Sequence, residues 1–307
     1  ITWYLDHIGH RVTLYGRAAS PRMQAFLTTR QNDLLTLPES VALSTALDAA
    51  LESAETVIIS IGSQSLRSLL GQSELQALRS RTVVLCMKGL EMGTGARLSQ
   101  IAVELLHPSN TVAVWLGPGH VQEFYRGIPN CMVIDSENED VKRRLVQSFS
   151  SDLIRFYYGG DMIGNEVGAA AKNVVGIAAG FLDGFEMSSL KGALMSRGTR
   201  EVARLIKAMG GSELSAYGLC HLGDYEATVF SPYSHNRQFG ESFVRGQDYH
   251  QLAEGYYTVK ALMLLGQRYG VELPICKAVH DILYEQAVPR DVLAGLLRRG
   301  LTEEFYD

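Results

Sequence analysis

Residues 164–184, GNEVGAAAKNVVGIAAGFLDG, are small or apolar almost throughout. A glycine or a lysine recurs at every fourth position, and on a helix this spacing gathers six residues into one slowly drifting stripe. They are Gly164, Gly168, Lys172, Gly176, Gly180 and Gly184. Each interior glycine costs a helix roughly 1 kcal/mol relative to alanine, so helix propensity does not account for the pattern. The stripe instead predicts a helix that another backbone or a flat ligand approaches closely.

Lys172 is the one lysine of this segment and stands near its middle. The residues three and four positions away on either side are Gly168, Ala169, Val175 and Gly176. None of them is acidic, so no carboxylate on the neighbouring turns can pair with the lysine. Two interpretations stay open. The side chain reaches water along the helix surface, or it is half-buried with a lowered pKa, which suits a proton donor.

Strands and helices alternate along residues 11–158, before this segment. The runs TVIISIG (56–62), TVVLCMKG (82–89) and TVAVWLGP (111–118) are short and apolar, which is typical of buried strands in a parallel sheet. The alternation predicts a doubly wound parallel sheet, and so a Rossmann-like α/β domain over residues 1–160. Only helical patterns follow, and they predict an all-α domain over residues 161–307.

Three of the predicted strands end in glycine or lysine. Gly62, Lys88 with Gly89, and residues 117–119 (Gly-Pro-Gly) each follow an apolar run. Ligands of such sheets bind beyond the carboxyl ends of the strands, so we expect these loops to line one crevice. Lys88 directly follows a buried strand, and its ammonium is predicted to face the crevice; the alternative is a surface lysine.

A crevice of this kind suits a dinucleotide, but the glycine-rich pattern GxGxxG is absent. The chain opens at Ile1 without a methionine, and we expect a first strand and the glycine-rich turn to precede that residue. Gly16 and Arg17 end the strand predicted at residues 11–17, where an NAD enzyme usually has an acidic residue. With Arg22 nearby, Arg17 favours the 2′-phosphate of NADP; the alternative is an exposed surface arginine.

Residues 218–240, GLCHLGDYEATVFSPYSHNRQFG, are too polar and too rich in turn residues for a core. The segment concentrates Asp224, Thr228, Ser234, His235, Asn236 and Arg237. Hydroxyl, amide and cationic donors gathered in this way suit a phosphate. The alternative is a solvated loop. Glu254 begins the helix predicted at residues 252–269, where the helix dipole alone also favours an acidic residue.

The composition is that of a globular protein, 46% hydrophobic and 20% charged over 307 residues. A net charge of −5 gives no electrostatic basis for binding nucleic acid or an anionic membrane surface. The apolar runs are far shorter than the roughly 20 residues that span a bilayer. The four cysteines have no metal-ligand or redox-motif spacing, and the histidines form no HExxH pattern. We therefore predict no metal site and a reducing cytoplasm.

Eight motifs, in the same order and spacing and over essentially the whole chain, resemble those of the bacterial NAD(P)-dependent glycerol-3-phosphate dehydrogenases. They are GHRVTLYGR (9–17), MKGLEMGTGARLS (87–99), the Gly-Pro loop at Gly117, IGNEVGAAAKNVVGIAAG (163–180), LMSRGTREVARL (194–205), GLCHLGDYEAT (218–228), SHNRQFG (234–240) and AEGYYTVK (253–260). No single motif is decisive, but the series is specific.

The resemblance implies a fold like that of 6-phosphogluconate dehydrogenase. It also implies reversible hydride transfer between NAD(P)H and C2 of dihydroxyacetone phosphate, which gives sn-glycerol 3-phosphate for phospholipid synthesis. Lys172 matches the family's general acid/base, Lys88 contacts substrate, and Asp224 orients Lys172. The chemistry agrees, because a nearby ammonium can stabilise and then protonate the alkoxide that forms as hydride arrives. Two neighbouring lysines also lower each other's pKa.

The resemblance extends to the binding residues. Those expected to hold substrate are Lys88, Gly117, Gly119, Lys172, Asn173, Asp224, Thr228, Ser234, His235 and Asn236. Those expected to contact the cofactor, NADPH or NADH with a preference for NADPH, are Arg17, Lys88, Val121, His235, Leu252 and Glu254.

Two residues depart from the family pattern. His235 stands where the family usually has arginine, and a histidine that is largely neutral at pH 7 gives no bidentate clamp. We therefore expect weaker phosphate binding that tightens as the pH falls toward about 6. Gly119 replaces a serine or threonine and removes one hydroxyl contact.

These departures leave two further interpretations. The chain is a relative that binds a ligand or partner without turnover, or it reduces a different small phosphorylated or carboxylated ketone. The sequence decides neither a homodimer nor the preference for NADP over NAD.

Overall fold

The computed structural model describes residues 1–298 and 303–304. The last part of the helical domain predicted at 161–307, residues 299–302 and 305–307, lies outside the described residues. The strands are β1 (Thr13–Tyr15), β2 (Ala42–Ser44), β3 (Thr56–Ile59), β4 (Thr82–Leu85), β5 (Thr111–Leu116), β6 (Asn130–Asp135) and β7 (Ile154–Tyr158). All of them precede residue 160, and the described residues beyond it form helices and turns. The predicted fold class, a Rossmann-like sheet followed by helices, is confirmed.

The first eight helices accompany the strands. They are α1 (Thr2–His7), α2 (Pro21–Thr29), α3 (Leu47–Glu52), α4 (Leu66–Leu70), α5 (Ser73–Gln76), α6 (Leu98–Leu105), α7 (Val121–Tyr125) and α8 (Glu139–Phe149). The helical half contains α9 (Met162–Gly184), α10 (Lys191–Ala208), α11 (His235–Val244), α12 (Glu254–Tyr269), α13 (Pro274–Tyr284) and α14 (Pro289–Leu297). A π-helical turn, Glu226–Phe230, precedes α11.

The main sheet has the order β3-β4-β5-β6-β7. Three of its four pairings are parallel, as predicted, whereas β5 and β6 are antiparallel. The connection between them contains only α7, five residues long. A helix of that length rises about 7 Å, whereas a six-residue strand spans about 20 Å, so the chain does not return to the start of β5. The eleven-residue helix α8 does make that return, and β7 is parallel to β6.

The strand predicted at residues 11–17 is shorter than expected. Only Thr13–Tyr15 forms β1, which pairs with β2 in a separate two-stranded parallel sheet. The strands of the main sheet bury both faces, as their continuous apolar runs predict: Val83 and Leu85 lie in the core on one face, and Val84 lies in the core on the other.

Helix α9 connects the two halves of the molecule. The Asp161 side chain caps it by accepting a hydrogen bond from the Gly164 amide at 3.0 Å. Ala169 packs in a core shared with the sheet half, while Ile177 and Phe181 pack in the core of the helical half. Sheet and helices therefore meet along one buried helix.

The glycine stripe brings α9 against α11, as the spacing predicts. A Cβ atom on Gly180 would overlap the Arg237 carbonyl oxygen, and one on Gly240 would overlap the Ile177 carbonyl oxygen. The two helices touch backbone to backbone, which explains why α9 carries residues that otherwise weaken a helix. None of the helices in the described part of the chain is long and apolar enough to cross a membrane.

Candidate active site

Lys172 lies on the buried middle of α9, with only 6% of its surface exposed. Its Nζ atom donates a hydrogen bond to the Thr228 hydroxyl at 2.6 Å and lies 3.0 Å from Oδ2 of Asp224. The interpretation in which this lysine reaches water is therefore wrong. A carboxylate distant in sequence supplies the partner that the helix itself lacks.

Lys88 meets the same carboxylate from the sheet half. It follows β4, and its Nζ atom lies 2.7 Å from Oδ2 of Asp224 and donates to the Gly117 carbonyl oxygen. The Lys88 side chain keeps 23% of its surface exposed, whereas that of Asp224 keeps 1%. Two ammonium groups from different halves of the molecule thus share one carboxylate oxygen beyond the end of β4, where ligands of such sheets bind.

Burial lowers the pKa of Lys172 from its ordinary value to about 8, with Asp224 opposing the effect and Lys88 adding to it. Removing water disfavours an ammonium, and the neighbouring carboxylate only partly restores the charged form. A lysine with this pKa is protonated at neutral pH and releases its proton far more readily than an exposed lysine. The arrangement suits general acid/base chemistry.

The segment 218–240 is not a solvated loop. Asp224, Tyr225 and Thr228 are at most 2% exposed. The π-helical turn places the Thr228 hydroxyl so that it accepts from Lys172 and donates to the Asp224 carbonyl oxygen at 2.7 Å. Turns of this type are rare and are frequently found at functional sites. The polar residues that are unusual for a core serve one buried network.

Beside this network, His221 Nδ1 donates a hydrogen bond to the Gly168 carbonyl oxygen at 2.8 Å, and its Nε2 lies 2.7 Å from the Tyr225 hydroxyl. Burial lowers the pKa of His221 to about 4, so the ring is neutral. His221 therefore packs as a neutral group against Gly168 of α9, one turn before Lys172.

Two asparagines extend the network between the halves. The amide of Asn173 donates to the Lys88 carbonyl oxygen at 2.7 Å, and the amide of Asn236 donates to the Asn173 side chain at 3.1 Å. The Asn236 oxygen accepts from the Gly255 amide at 2.9 Å. Both predicted substrate ligands are therefore engaged with protein groups, and their contact with substrate stays a prediction.

Ser234 and His235 lie at the start of α11. The Ser234 hydroxyl caps the helix by accepting from the Arg237 amide at 3.3 Å, and His235 Nδ1 lies 2.8 Å from the Tyr249 hydroxyl. Partial burial, together with the charge of Arg22, lowers the pKa of His235. Arg22, from α2 of the sheet half, is thus close enough to act on a residue of the helical half. Neutral His235 at pH 7 agrees with the expectation from sequence.

The Gly-Pro-Gly loop after β5 owes its shape to two glycines. Gly117 has φ +128° and Gly119 has φ +138°, a region that other residues rarely adopt. A Cβ atom on Gly119 would also overlap the Phe124 ring. The hydroxyl that the family has at this position is therefore incompatible with this loop conformation. Val121, the predicted cofactor contact, begins α7 and is exposed.

Glu254 connects the start of α12 to the loop after β3. Its carboxylate accepts hydrogen bonds from the Ser63 amide at 2.9 Å and from the Ser63 hydroxyl. Leu252 lies beside Gly62 and is half-exposed. Glu254 therefore joins the two halves, and the contact of Leu252 and Glu254 with a cofactor stays a prediction.

These residues fit a dinucleotide. A Cβ atom on Gly89 would overlap Ser63, so the turn after β4 packs closely against the loop after β3. Arg17 is exposed just after β1, and Arg22 lies on the next helix. These two cations suit the 2′-phosphate on the ribose of NADP. Within residues 1–298 and 303–304, no group of three or more histidine, cysteine, aspartate or glutamate residues could hold a metal ion.

The sequence does not predict four residues that bond to the loops, the turn or the helices around this network: Ser63, His120, Asp183 and Lys191. Ser63 and His120 belong to the strand-end loops, and that position was the only available signal. Asp183 and Lys191 meet at 2.6 Å with both side chains nearly buried. Arg237, grouped from sequence with phosphate ligands, instead binds Asp183 at 2.6 Å. Such pairings depend on tertiary contacts that residue spacing does not reveal.

Comparison with known proteins identifies both halves. The family model described as NAD-dependent glycerol-3-phosphate dehydrogenase N-terminus matches residues 1–142. The one described as NAD-dependent glycerol-3-phosphate dehydrogenase C-terminus matches residues 161–294.

Relatives and a solved structure agree over nearly the full length. Glycerol-3-phosphate dehydrogenase [NAD(P)+] of Prosthecochloris aestuarii is 32% identical, over 98% of this chain and 95% of its own. The Nitrosomonas europaea protein of the same name is 35% identical, over 94% and 91%. The crystal structure of glycerol-3-phosphate dehydrogenase from Coxiella burnetii superposes with a TM-score of 0.89 at 26% identity, covering 97% of this chain and 94% of that one. The chain therefore belongs to the family of NAD(P)-dependent glycerol-3-phosphate dehydrogenases.

Proposed function

We propose that this protein reduces dihydroxyacetone phosphate to sn-glycerol 3-phosphate with NADPH or NADH, reversibly, and so supplies glycerophospholipid synthesis. One observation carries the proposal: Lys172 and Lys88 share Oδ2 of Asp224 beyond the end of β4. This geometry provides a proton donor and a second cation beside the place where a ligand of this fold binds.

The reduced nicotinamide, when bound, supplies the hydride to C2 of the ketone. Lys172 holds the proton at Nζ and gives it to the ketone oxygen, since burial has made that proton easier to release. Lys88 stabilises the negative charge that develops on the same oxygen. Asp224 keeps the two ammonium groups together, and Thr228 fixes the direction of the Lys172 Nζ atom.

The substrate phosphate is proposed to lie at the start of α11. Ser234, His235 and Asn236 belong to the first turn of this ten-residue helix, whose amides and dipole favour an anion. Neutral His235 adds a hydrogen bond there but no charge.

The remaining assignments are also proposals. Arg17, exposed two residues after β1, together with Arg22 in the first turn of α2, supports a preference for NADPH. The main sheet ends at Tyr158 and α9 begins at Met162, which supports domains at residues 1–160 and 161–307. Free thiols at all four cysteines support a reducing compartment, the cytoplasm. A homodimer is also proposed, and the molar mass measured by light scattering would test it.

The direct test follows oxidation of NADPH and NADH by the purified protein with dihydroxyacetone phosphate, with other small phosphorylated and carboxylated ketones as a comparison panel. We expect turnover with dihydroxyacetone phosphate, faster with NADPH than with NADH. Faster turnover of another ketone would reassign the substrate. Binding of NADPH without turnover of any ketone would favour a binding protein.

A further inference from the structure

Three donors hold the π-helical turn through alternate carbonyl groups. His120 Nε2 lies 3.1 Å from the Ala227 oxygen, Lys191 Nζ lies 3.0 Å from the Val229 oxygen, and Arg237 Nε lies 3.2 Å from the Ser231 oxygen. Each oxygen can only accept, so each of these side chains donates. Thr228, the residue that binds Lys172, lies within the span of these three bonds.

Two of the donors converge on one carboxylate behind the turn. Lys191 Nζ and Arg237 Nη1 each lie 2.6 Å from Oδ2 of Asp183. Lys191 is 6% exposed, and its carboxylate partner is also largely buried. Asp183 belongs to the end of α9, Lys191 to the start of α10 and Arg237 to α11. The buried cluster therefore ties three helices to the turn that carries Thr228.

We propose that Lys191 and Arg237, paired through Asp183, are positioning residues for the reaction: they hold the π-helical turn so that the Thr228 hydroxyl stays on Lys172. The inference rests on the proposed function for its kinetic consequence, but its structural part concerns Lys172 alone.

The consequence follows from the direction of one hydrogen bond. Thr228 accepts from the ammonium of Lys172 and so favours the charged form of that lysine. If the turn relaxes, the bond lengthens and Lys172 loses its proton at a lower pH. The charged and titratable groups that face Lys172 are Asp224, Lys88, Cys220, His221 and His120. Lys191 has hydrogen bonds to Asp183 and to the Val229 carbonyl oxygen, and to none of these groups.

Lys142 offers a matched control. It is 5% exposed, donates to the Gly159 carbonyl oxygen at 2.7 Å, and pairs with Asp135 and Glu139 in the sheet half. Replacing Lys142 or Lys191 with methionine removes a buried ammonium and one bond to a carbonyl group in each case. Of these two lysines, only Lys191 bonds to the turn that carries Thr228.

The experiment compares K191M, K142M, T228V and wild type by thermal unfolding and by the pH profile of ketone reduction. Both lysine variants are expected to melt at a lower temperature. In K191M, kcat should fall about tenfold, with a smaller change in KM. Its alkaline limb should move down by about one pH unit, the shift expected when one hydrogen bond to the charged form is lost. T228V should move the limb in the same direction, whereas K142M should keep the wild-type profile.

Two conservative variants, K191R and R237K, keep the donors and should recover most of kcat; they also serve if K191M does not fold. If K191M loses stability but keeps the wild-type kcat and alkaline limb, the cluster is merely structural and the proposal is overturned. The same result follows if K142M moves the limb as far as K191M does.

A direct readout separates this proposal from the proposed function. In protein labelled with ¹³C at lysine Cε, the Lys172 resonance, assigned through K172R, reports its titration without any substrate. We expect it to titrate at a lower pH in K191M than in wild type. A downward shift would support the positioning role even if dihydroxyacetone phosphate is not reduced, and an unchanged titration would overturn it.

Discussion

The two walls of the crevice are built by different means. The sheet wall is shaped by glycine, with Gly117 and Gly119 at positive φ and Lys88 as the cation that it brings to Asp224. The helical wall holds Lys172, Asp224 and Thr228 in a buried network. The sheet wall thus contributes backbone shape and one cation, and the helical wall contributes the buried lysine and its carboxylate. Substitutions in the two walls should therefore fail in different ways.

The largest effect is expected at Lys172. K172M removes the proposed proton donor but leaves Asp224 paired with Lys88, so the protein should fold. We expect kcat for reduction to fall by about 10²–10⁴-fold, the usual contribution of a general acid. Steady-state kinetics with a matched thermal melt measures this. The exposed variant K277M is the control, and a K172M enzyme with undiminished kcat would remove Lys172 from the mechanism.

Replacing Asp224 should lower the free energy of unfolding and change the pH dependence of the rate. D224N leaves two ammonium groups without their carboxylate, and loss of one partner of a buried pair costs about 3–5 kcal/mol of unfolding free energy. Denaturant unfolding measures that loss. An equal stability for D224N and wild type would show that the pair contributes nothing.

The rate should change with pH as well. Wild-type reduction requires protonated Lys172, so it should decline as the pH rises through about 8. Asp224 raises the pKa of Lys172, so in D224N the decline should begin at a lower pH. A decline that begins at the same pH in both proteins would contradict the assignment.

The sheet wall should respond to volume. G119S restores the family's hydroxyl on a backbone at φ +138° and against the Phe124 ring. We expect a loss of about 1–3 kcal/mol in stability without a lower KM for substrate. The double variant G119S/F124A removes the overlap and should be less destabilised than the sum of the single variants. A stable G119S enzyme with tighter substrate binding would mean that the loop adapts.

The smallest effect is expected at His235. H235R adds a permanent charge at the start of α11 and should lower KM for dihydroxyacetone phosphate about tenfold or less. Because burial and Arg22 lower the pKa of His235, wild-type binding should tighten at a lower pH than an ordinary histidine would give. KM measured against pH, corrected for substrate ionisation, tests this. H235R should lack the effect, and a flat wild-type profile would rule it out.

The sequence predicts the helices and strands better than it predicts which strands and side chains contact one another. The glycine stripe locates α9 and its close contact, and the apolar runs locate the strands, because both signals are local. The antiparallel direction of β6 depends on the length of the connection before it, and the pattern of apolar residues along the chain does not reveal strand direction. The choice of Asp183 rather than phosphate for Arg237 depends on a contact across three helices. The family resemblance, and not spacing, brought Lys88, Lys172 and Asp224 together before the structure did.

The close glycine contacts of α9 affect how the helices around it open to solvent. A methyl group on Gly180 or Gly240 would overlap the facing helix, and one on Gly255 would overlap the Asn173 carbonyl group. Helices α9, α11 and α12 therefore pack backbone to backbone at their crossings. We expect them to open to solvent as one cooperative unit. Their amide hydrogens should exchange with deuterium together and late, even when the sheet half has begun to exchange.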